Sequence, residues 1–243
     1  MRTTKPPWGQ LLLPLENGDQ LDQETFHARY RAMPEDCRAE LIGGIVHMPS
    51  PQKVPHSKAQ QLVVRWLDEY AEATPGTEAL LNNTQILGPE SEPEPDACLF
   101  IAPEYGGQVY LDEDEYLHGP PELIVEVSSS TESIDLHRKK HDYQKAGVRE
   151  YVVLALRIQQ VFWFLRQRGK YKDVALPADG LFRSRVFPGL WLDAEAVLGN
   201  RRQAVLTALE QGLASAEHAA FVTKLARQAS SRPRRSGRNR SSS

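Results

Sequence analysis

Two compact apolar runs, at 123–127 and 151–156, flank a stretch at 135–146 with helical spacing that Gly147 closes. Short runs of this kind mark strands covered on both faces, and a helix between two of them is the connection that parallel strands require. The chain is thereby restricted to a sheet with helices packed against it. The remaining pattern agrees. A helix is expected over 21–33, ended by Pro34, and a hairpin over 37–48, where Gly43-Gly44 supplies the positive φ of a tight turn. Ala59, Leu62, Val63, Trp66, Leu67, Tyr70 and Ala71 recur at the 3, 4 spacing of one helix face, which Pro75-Gly76 ends. Strands are predicted at 79–87 and 96–101, with an acidic insertion around 112–115, and further strands at 161–165, 171–175, 183–187 and 190–192. Residues 202–228 read as one terminal helix. The expected fold class is α/β or α+β: a central mixed β-sheet flanked by helices, plus a C-terminal helix. The expected divisions are an irregular lead-in at 1–20, a main domain at 21–198, the terminal helix at 199–228, and a disordered basic tail at 229–243.

With 243 residues, 40% of them hydrophobic, the chain can bury about 70% of its unfolded surface without a disulfide or metal staple. Cys37 and Cys98 have no paired-ligand spacing, so they read as small buried or half-buried residues in a reducing compartment. No apolar run approaches the roughly 20 residues of a membrane helix, and a cytoplasmic protein with no membrane partner is expected. Net charge is -3, yet the last fifteen residues carry five Arg and no acid, which leaves the remainder at -8. An acidic body argues against passive, charge-driven binding to nucleic acid. Chemistry on such a substrate would require metal ions or local basic patches.

Glu126 is the first anomaly, because its neighbours in the run 123–127 demand burial. Either the strand is at an edge, with the acid facing water, or the carboxylate has a partner or a cation. Asp96 follows Pro95 and opens a short apolar strand, so it is a turn residue or a second metal-ligating acid. Asp135, Lys139 and Tyr143 share one helix face at four-residue spacing, where an ordinary Asp-Lys pair is the plain alternative. Taken singly, Glu40 is a hairpin acid and His56 a solvent-facing residue at a helix start. His137 and His141 have a zinc-compatible spacing but no evident third ligand. Trp66, Tyr70, Trp163 and Phe164 read as core.

In order, the chain shows Glu40-Leu-Ile-Gly-Gly, a Met-Pro-Ser-Pro stretch before His56, and Pro95-Asp96. Leu123-Ile-Val-Glu126-Val-Ser follows, and then Asp135, Lys139, Tyr143, Gly147 and Tyr151 at fixed spacing. This series, over roughly residues 25–198, resembles the Uma family of restriction endonuclease-like proteins within the PD-(D/E)XK nuclease superfamily. The resemblance implies a restriction endonuclease-like fold and a metal-dependent endonuclease that hydrolyses DNA phosphodiester bonds with Mg2+ or Mn2+. It also implies Asp96, Glu126 and the Val127 backbone carbonyl as metal ligands, Glu40 as an accessory acid, and Lys139 as the group that offsets developing charge. His56, Asp135 and Tyr143 would lie near the site. In the superfamily motif the Lys stands two residues after the strand acid, where this chain has Ser128. The resemblance supplies it instead from the following helix as Lys139, with Lys140 and Arg138 as substitutes. A homodimer, which cuts two strands by symmetry, is one assembly it allows. A catalytically degenerate module for nucleic-acid binding or assembly is the alternative.

Overall fold

A computed structural model describes residues 13–34, 36–49 and 51–231, so the expectations for 1–12 and for the tail from 232 lie outside the described residues. The Asp22 side chain accepts from the Thr25 N–H and starts α1 (Gln23–Tyr30). A hairpin of β1 (Glu40–Ile42) and β2 (Ile45–His47) follows, and its two turn glycines have φ of +57° and +78°. Both angles are those of the primed turn that fits the twist of antiparallel strands.

Next come α2 (Val54–Ala73), β3 (Thr77–Leu80), β4 (Gln85–Ile86), β5 (Ala97–Ile101), β6 (Tyr110–Leu111), β7 (Leu117–His118) and β8 (Leu123–Ser128). A π-helical segment (Ile134–Lys139) runs into α3 (Lys140–Ala146) and leads to β9 (Glu150–Ala155), β10 (Gln160–Gln167) and β11 (Lys170–Asp173). The chain continues as β12 (Leu181–Arg183), β13 (Trp191–Asp193), α4 (Ala194–Leu198), α5 (Arg202–Leu213) and α6 (Ala216–Ser231).

The main sheet is mixed, in the order β11-β10-β9-β8-β5-β3. β8 and β9 are parallel, joined by the helical crossover that the two apolar runs imply, and β5 is antiparallel to both β3 and β8. Each face of the sheet carries its own core. On one, Leu99, Val125, Val152 and Trp163 meet Leu62, Trp66 and Leu67 of α2. On the other, Cys98, Ile124, Val153 and Phe164 meet Tyr143 of α3. The polar ends of the large aromatics are satisfied, with Trp66 Nε1 donating to the Trp191 carbonyl and Tyr70 Oη to that of Pro188, each at 2.9 Å.

Several sequence expectations need correction. The single strand predicted at 79–87 is two, β3 in the main sheet and β4 beside β7, because Asn82 breaks the run at φ +45°. The strand expected at 183–187 stops at Arg183, and Ser184 turns inward to donate to Glu150 Oε2. The terminal helix is two helices, since Ser215 Oγ accepts the His218 N–H and starts α6 anew. The α-helix expected over 135–146 begins as a π-helix, with the Lys140 N–H donating to the Asp135 carbonyl five residues back.

Candidate active site

The register of β5 on β8 pairs Ala97 with Val125, so one step outward sets Asp96 against Glu126. Directly opposed residues on antiparallel strands have Cβ atoms about 4.5–5.5 Å apart. The Val127 N–H donates to Asp96 Oδ2 at 2.7 Å, which fixes this end of the ladder. The N–H and C=O of one strand residue point to the same side, so the Val127 carbonyl also faces the Asp96 edge. Glu126 is therefore on a central strand and 4% exposed, which rules out the edge-strand alternative.

The partners that burial demands come from three directions. Lys139, 6% exposed, donates through Nζ to Glu126 Oε1 at 3.0 Å and to Glu40 Oε1 at 2.8 Å. Tyr143 Oη donates to Glu126 Oε1 at 2.8 Å. The hairpin brings Glu40, whose Oε1 also accepts the Glu94 N–H at 2.8 Å. From the start of α2, His56 Nε2 lies 3.1 Å from Asp96 Oδ1, to which Gln60 Nε2 donates at 3.0 Å. His56 is thus buried rather than solvent-facing. Gln60 was not singled out by sequence; its position four residues after His56, one turn further on the same helix face, was the available signal. Asp135 is buried beside the cluster and accepts from Thr131 Oγ1 at 2.6 Å, while Tyr151 Oη holds its backbone carbonyl at 3.0 Å.

Neither substitute cation is bonded to the carboxylate cluster. Lys140 pairs with Asp173 and lies 3.6 Å from the centre of the Phe164 ring, and Arg138 points to solvent. His137 and His141 are both exposed. Of the cysteines, both are free thiols, and burial pushes buried Cys98 up to about 12.

The electrostatics follow from four acids against one lysine. Burial, with the charges of Asp96, Asp135 and Glu40, pushes the Glu126 carboxyl well above the usual carboxylate range against the pull of Lys139. Burial pulls the Lys139 ammonium down, but Glu126, Glu40 and Asp135 outweigh it and hold the group charged. Burial likewise raises Asp135. Such a cluster has more anion than its one cation offsets.

Its open oxygens suit a hard divalent cation. Both bonds to Glu126 use Oε1, and among the described residues none engages Oε2; Asp96 Oδ2 accepts only the Val127 N–H. No three His, Cys, Asp or Glu side chains are grouped to hold a metal by themselves among the described residues. Two carboxylates and a carbonyl, completed by water, is a donor set of the kind magnesium takes, since that ion keeps several of its waters. All of these groups line a cleft of about 460 Å³, bounded by the hairpin, the start of α2, the ends of β5 and β8, and the π-helical segment.

The sequence profile that matches residues 23–195 decides the family. The chain belongs to the Uma2 family. That family is described as "Putative restriction endonuclease". A solved structure, described as a putative nuclease belonging to DUF820 from Anabaena variabilis, is similar to this Uma2 chain with a TM-score of 0.54 at 18% identity. The likeness covers 71% of this chain and 97% of that one, and it establishes a shared fold. No curated protein matches the chain. No described helix is long and apolar enough to cross a membrane.

Proposed function

We propose that this Uma2 chain is a metal-dependent endonuclease that hydrolyses phosphodiester bonds in DNA, using Mg2+ or Mn2+. The observation that carries the reading is the meeting of Asp96, Glu126, Glu40 and Lys139, drawn from four separate stretches, at one buried cleft wall. Asp96 Oδ2, Glu126 Oε2 and the Val127 carbonyl would hold the cation. When bound, that ion supplies a water acidified toward neutral pH and a Lewis acid for a phosphoryl oxygen.

The chain's own groups do the rest. His56, Gln60 and the Val127 N–H fix the Asp96 carboxylate, and Tyr143 with Lys139 fixes that of Glu126. Lys139, kept charged by its acidic neighbours, offsets negative charge that develops on the phosphorus oxygens. Glu40 is bonded through Oε1, which leaves Oε2 to orient the attacking water.

The test is incubation of the purified full chain with supercoiled and linear DNA plus magnesium or manganese, beside a Glu126→Ala control. Metal-dependent cleavage that the substitution abolishes is expected. No cleavage, or cleavage that the substitution leaves unchanged, overturns the proposal in favour of a non-catalytic module.

A further inference from the structure

The floor of the cleft is crowded with acid, and its one lysine is buried and already bonded to two carboxylates. A polyanion approaching this floor therefore needs other cations close by, and a body at -8 supplies no general attraction. Two groups lining the cleft and a third on the segment that bounds it have the chemistry and no partner. Arg38 lines it, is exposed, and makes no ion pair among the described residues. His47, placed opposite Glu40 by the hairpin register, also lines it, and its Nε2 is buried with no hydrogen-bond partner among the described residues. Arg138 lies on the π-helical segment whose Ile134, Asp135 and Lys139 line the cleft; it is exposed and makes no ion pair among the described residues, and its charge adds to burial in lowering the proton affinity of His47.

Elsewhere on the surface some arginines are tied to acids, Arg31 to Asp114, Arg65 to Glu69, Arg183 to Asp179 and Arg201 to Glu195, while Arg149, Arg168, Arg185 and Arg227 are exposed without an ion pair among the described residues, so it is position beside the cleft that distinguishes Arg38 and Arg138. Beside the largest collection of carboxylates described above, two arginines are left unpaired. The buried imidazole nitrogen of His47 has no partner among the described residues and can take one from a ligand or from water. Guanidinium forks match phosphate oxygens bidentately, and a neutral imidazole adds a single N–H.

Resting on the nuclease reading, we infer that Arg38, His47 and Arg138 form a backbone-phosphate subsite that grips the nucleotides adjoining the one cleaved. The ligand class is the phosphodiester backbone of a nucleic acid, taken without regard to base.

The experiment is fluorescence anisotropy of a labelled DNA duplex with the full chain over a series of KCl concentrations, with calcium in place of magnesium to prevent turnover. The logarithm of affinity falls with that of salt by about 0.9 for each phosphate contact. Arg38→Ala/Arg138→Ala is expected to weaken binding at least tenfold and to reduce the slope by about 2, from that same constant. His47→Ala is expected to weaken binding severalfold with the slope unchanged. A control of equal charge, Arg168→Ala/Arg227→Ala, is expected to leave the slope as it is in the parent. Both arginines are exposed, and equal thermal midpoints establish that each variant is folded. A slope in the double variant equal to that of the parent, or an equal loss in the control, overturns the subsite. Absence of Mg2+-dependent cleavage by the parent overturns the nuclease reading instead, so the two failures are distinguishable.

Discussion

Replacing Tyr143 by Phe removes one oxygen and leaves the rest of the site in place, because the ring keeps its edge contact with Tyr151 at 5.1 Å between centroids. The lost bond is the 2.8 Å donation to Glu126 Oε1, between two side chains that are both buried. A bond to a charged acceptor contributes about 1.5–3 kcal/mol. Lys139 still donates to the same oxygen at 3.0 Å, so the acceptor is not orphaned and the lower end, about 1.5 kcal/mol, applies. In a chain of this size a loss near that value lowers the melting midpoint by about 3–6 °C.

What separates a positioning role from simple packing is the metal. Groups that orient a ligand carboxylate alter metal affinity by about 10–100-fold. The Mn2+ dissociation constant of Tyr143→Phe, measured by isothermal titration, is expected to rise about tenfold, with kcat recovered at saturating metal. If Mn2+ binds the variant within twofold of the parent while the melting midpoint falls as calculated, Glu126 is not oriented for a cation by Tyr143, and the assignment of Oε2 as a ligand fails.

Lys139→Met leaves buried carboxylates without their cation and should cost about 3 kcal/mol by urea denaturation; adding Glu126→Gln should recover more than half of that if the pair is coupled as its geometry implies. Burial raises the Glu122 and Glu150 carboxyls, so the native state holds protons that the unfolded chain has lost. Stability should accordingly fall as pH rises from about 4.5 through the folded values, and Glu122→Gln should flatten that slope in a series of urea midpoints. At the hairpin turn, a Cβ on Gly43 meets open space at φ +57°, so Gly43→Asn should stay within about 0.5 kcal/mol of the parent, while Gly43→Val should cost about 1–2 kcal/mol. Equal melting midpoints for the two would remove the conformational argument.

What could be read from the sequence was whatever neighbouring residues alone decide. The apolar runs at 123–127 and 151–156 announce covered strands, and the intervening helix announces their parallel pairing, because no other connection of that length satisfies both. The face from Ala59 to Ala71 is legible for the same reason. The break at Asn82 and the fresh start at Ser215 depend on how distant segments compete for the backbone, and local periodicity is silent about them. Residue types in order singled out Asp96, Glu126, Glu40 and Lys139, which the fold brings together. The grip of Gln60 on Asp96 was hidden because a glutamine on a helix resembles any other polar residue until the opposing strand is placed.

The position of the lysine shows why the π-helical start is part of the site. Ser128 stands two residues after Glu126 on the same strand face, fully buried, with its Oγ 3.4 Å from Thr131 Oγ1. A long charged chain there would have to occupy space already filled by Thr131 and the carboxylate it bonds, Asp135. The cation instead comes from above, on the element that covers this face of the sheet. A wider turn holds Asp135 and Lys139 toward the same wall, and α3 then regains ordinary geometry in time to aim Tyr143 at the same carboxylate oxygen. Deleting one residue within Ile134–Lys139 to restore a continuous α-helix should rotate Lys139 away from Glu126 by roughly 100°. The expected outcome is a folded protein that binds duplex DNA but does not cut it. Retained cleavage by a deletion variant with an intact melting transition would show that the widened turn has no part in placing the amine.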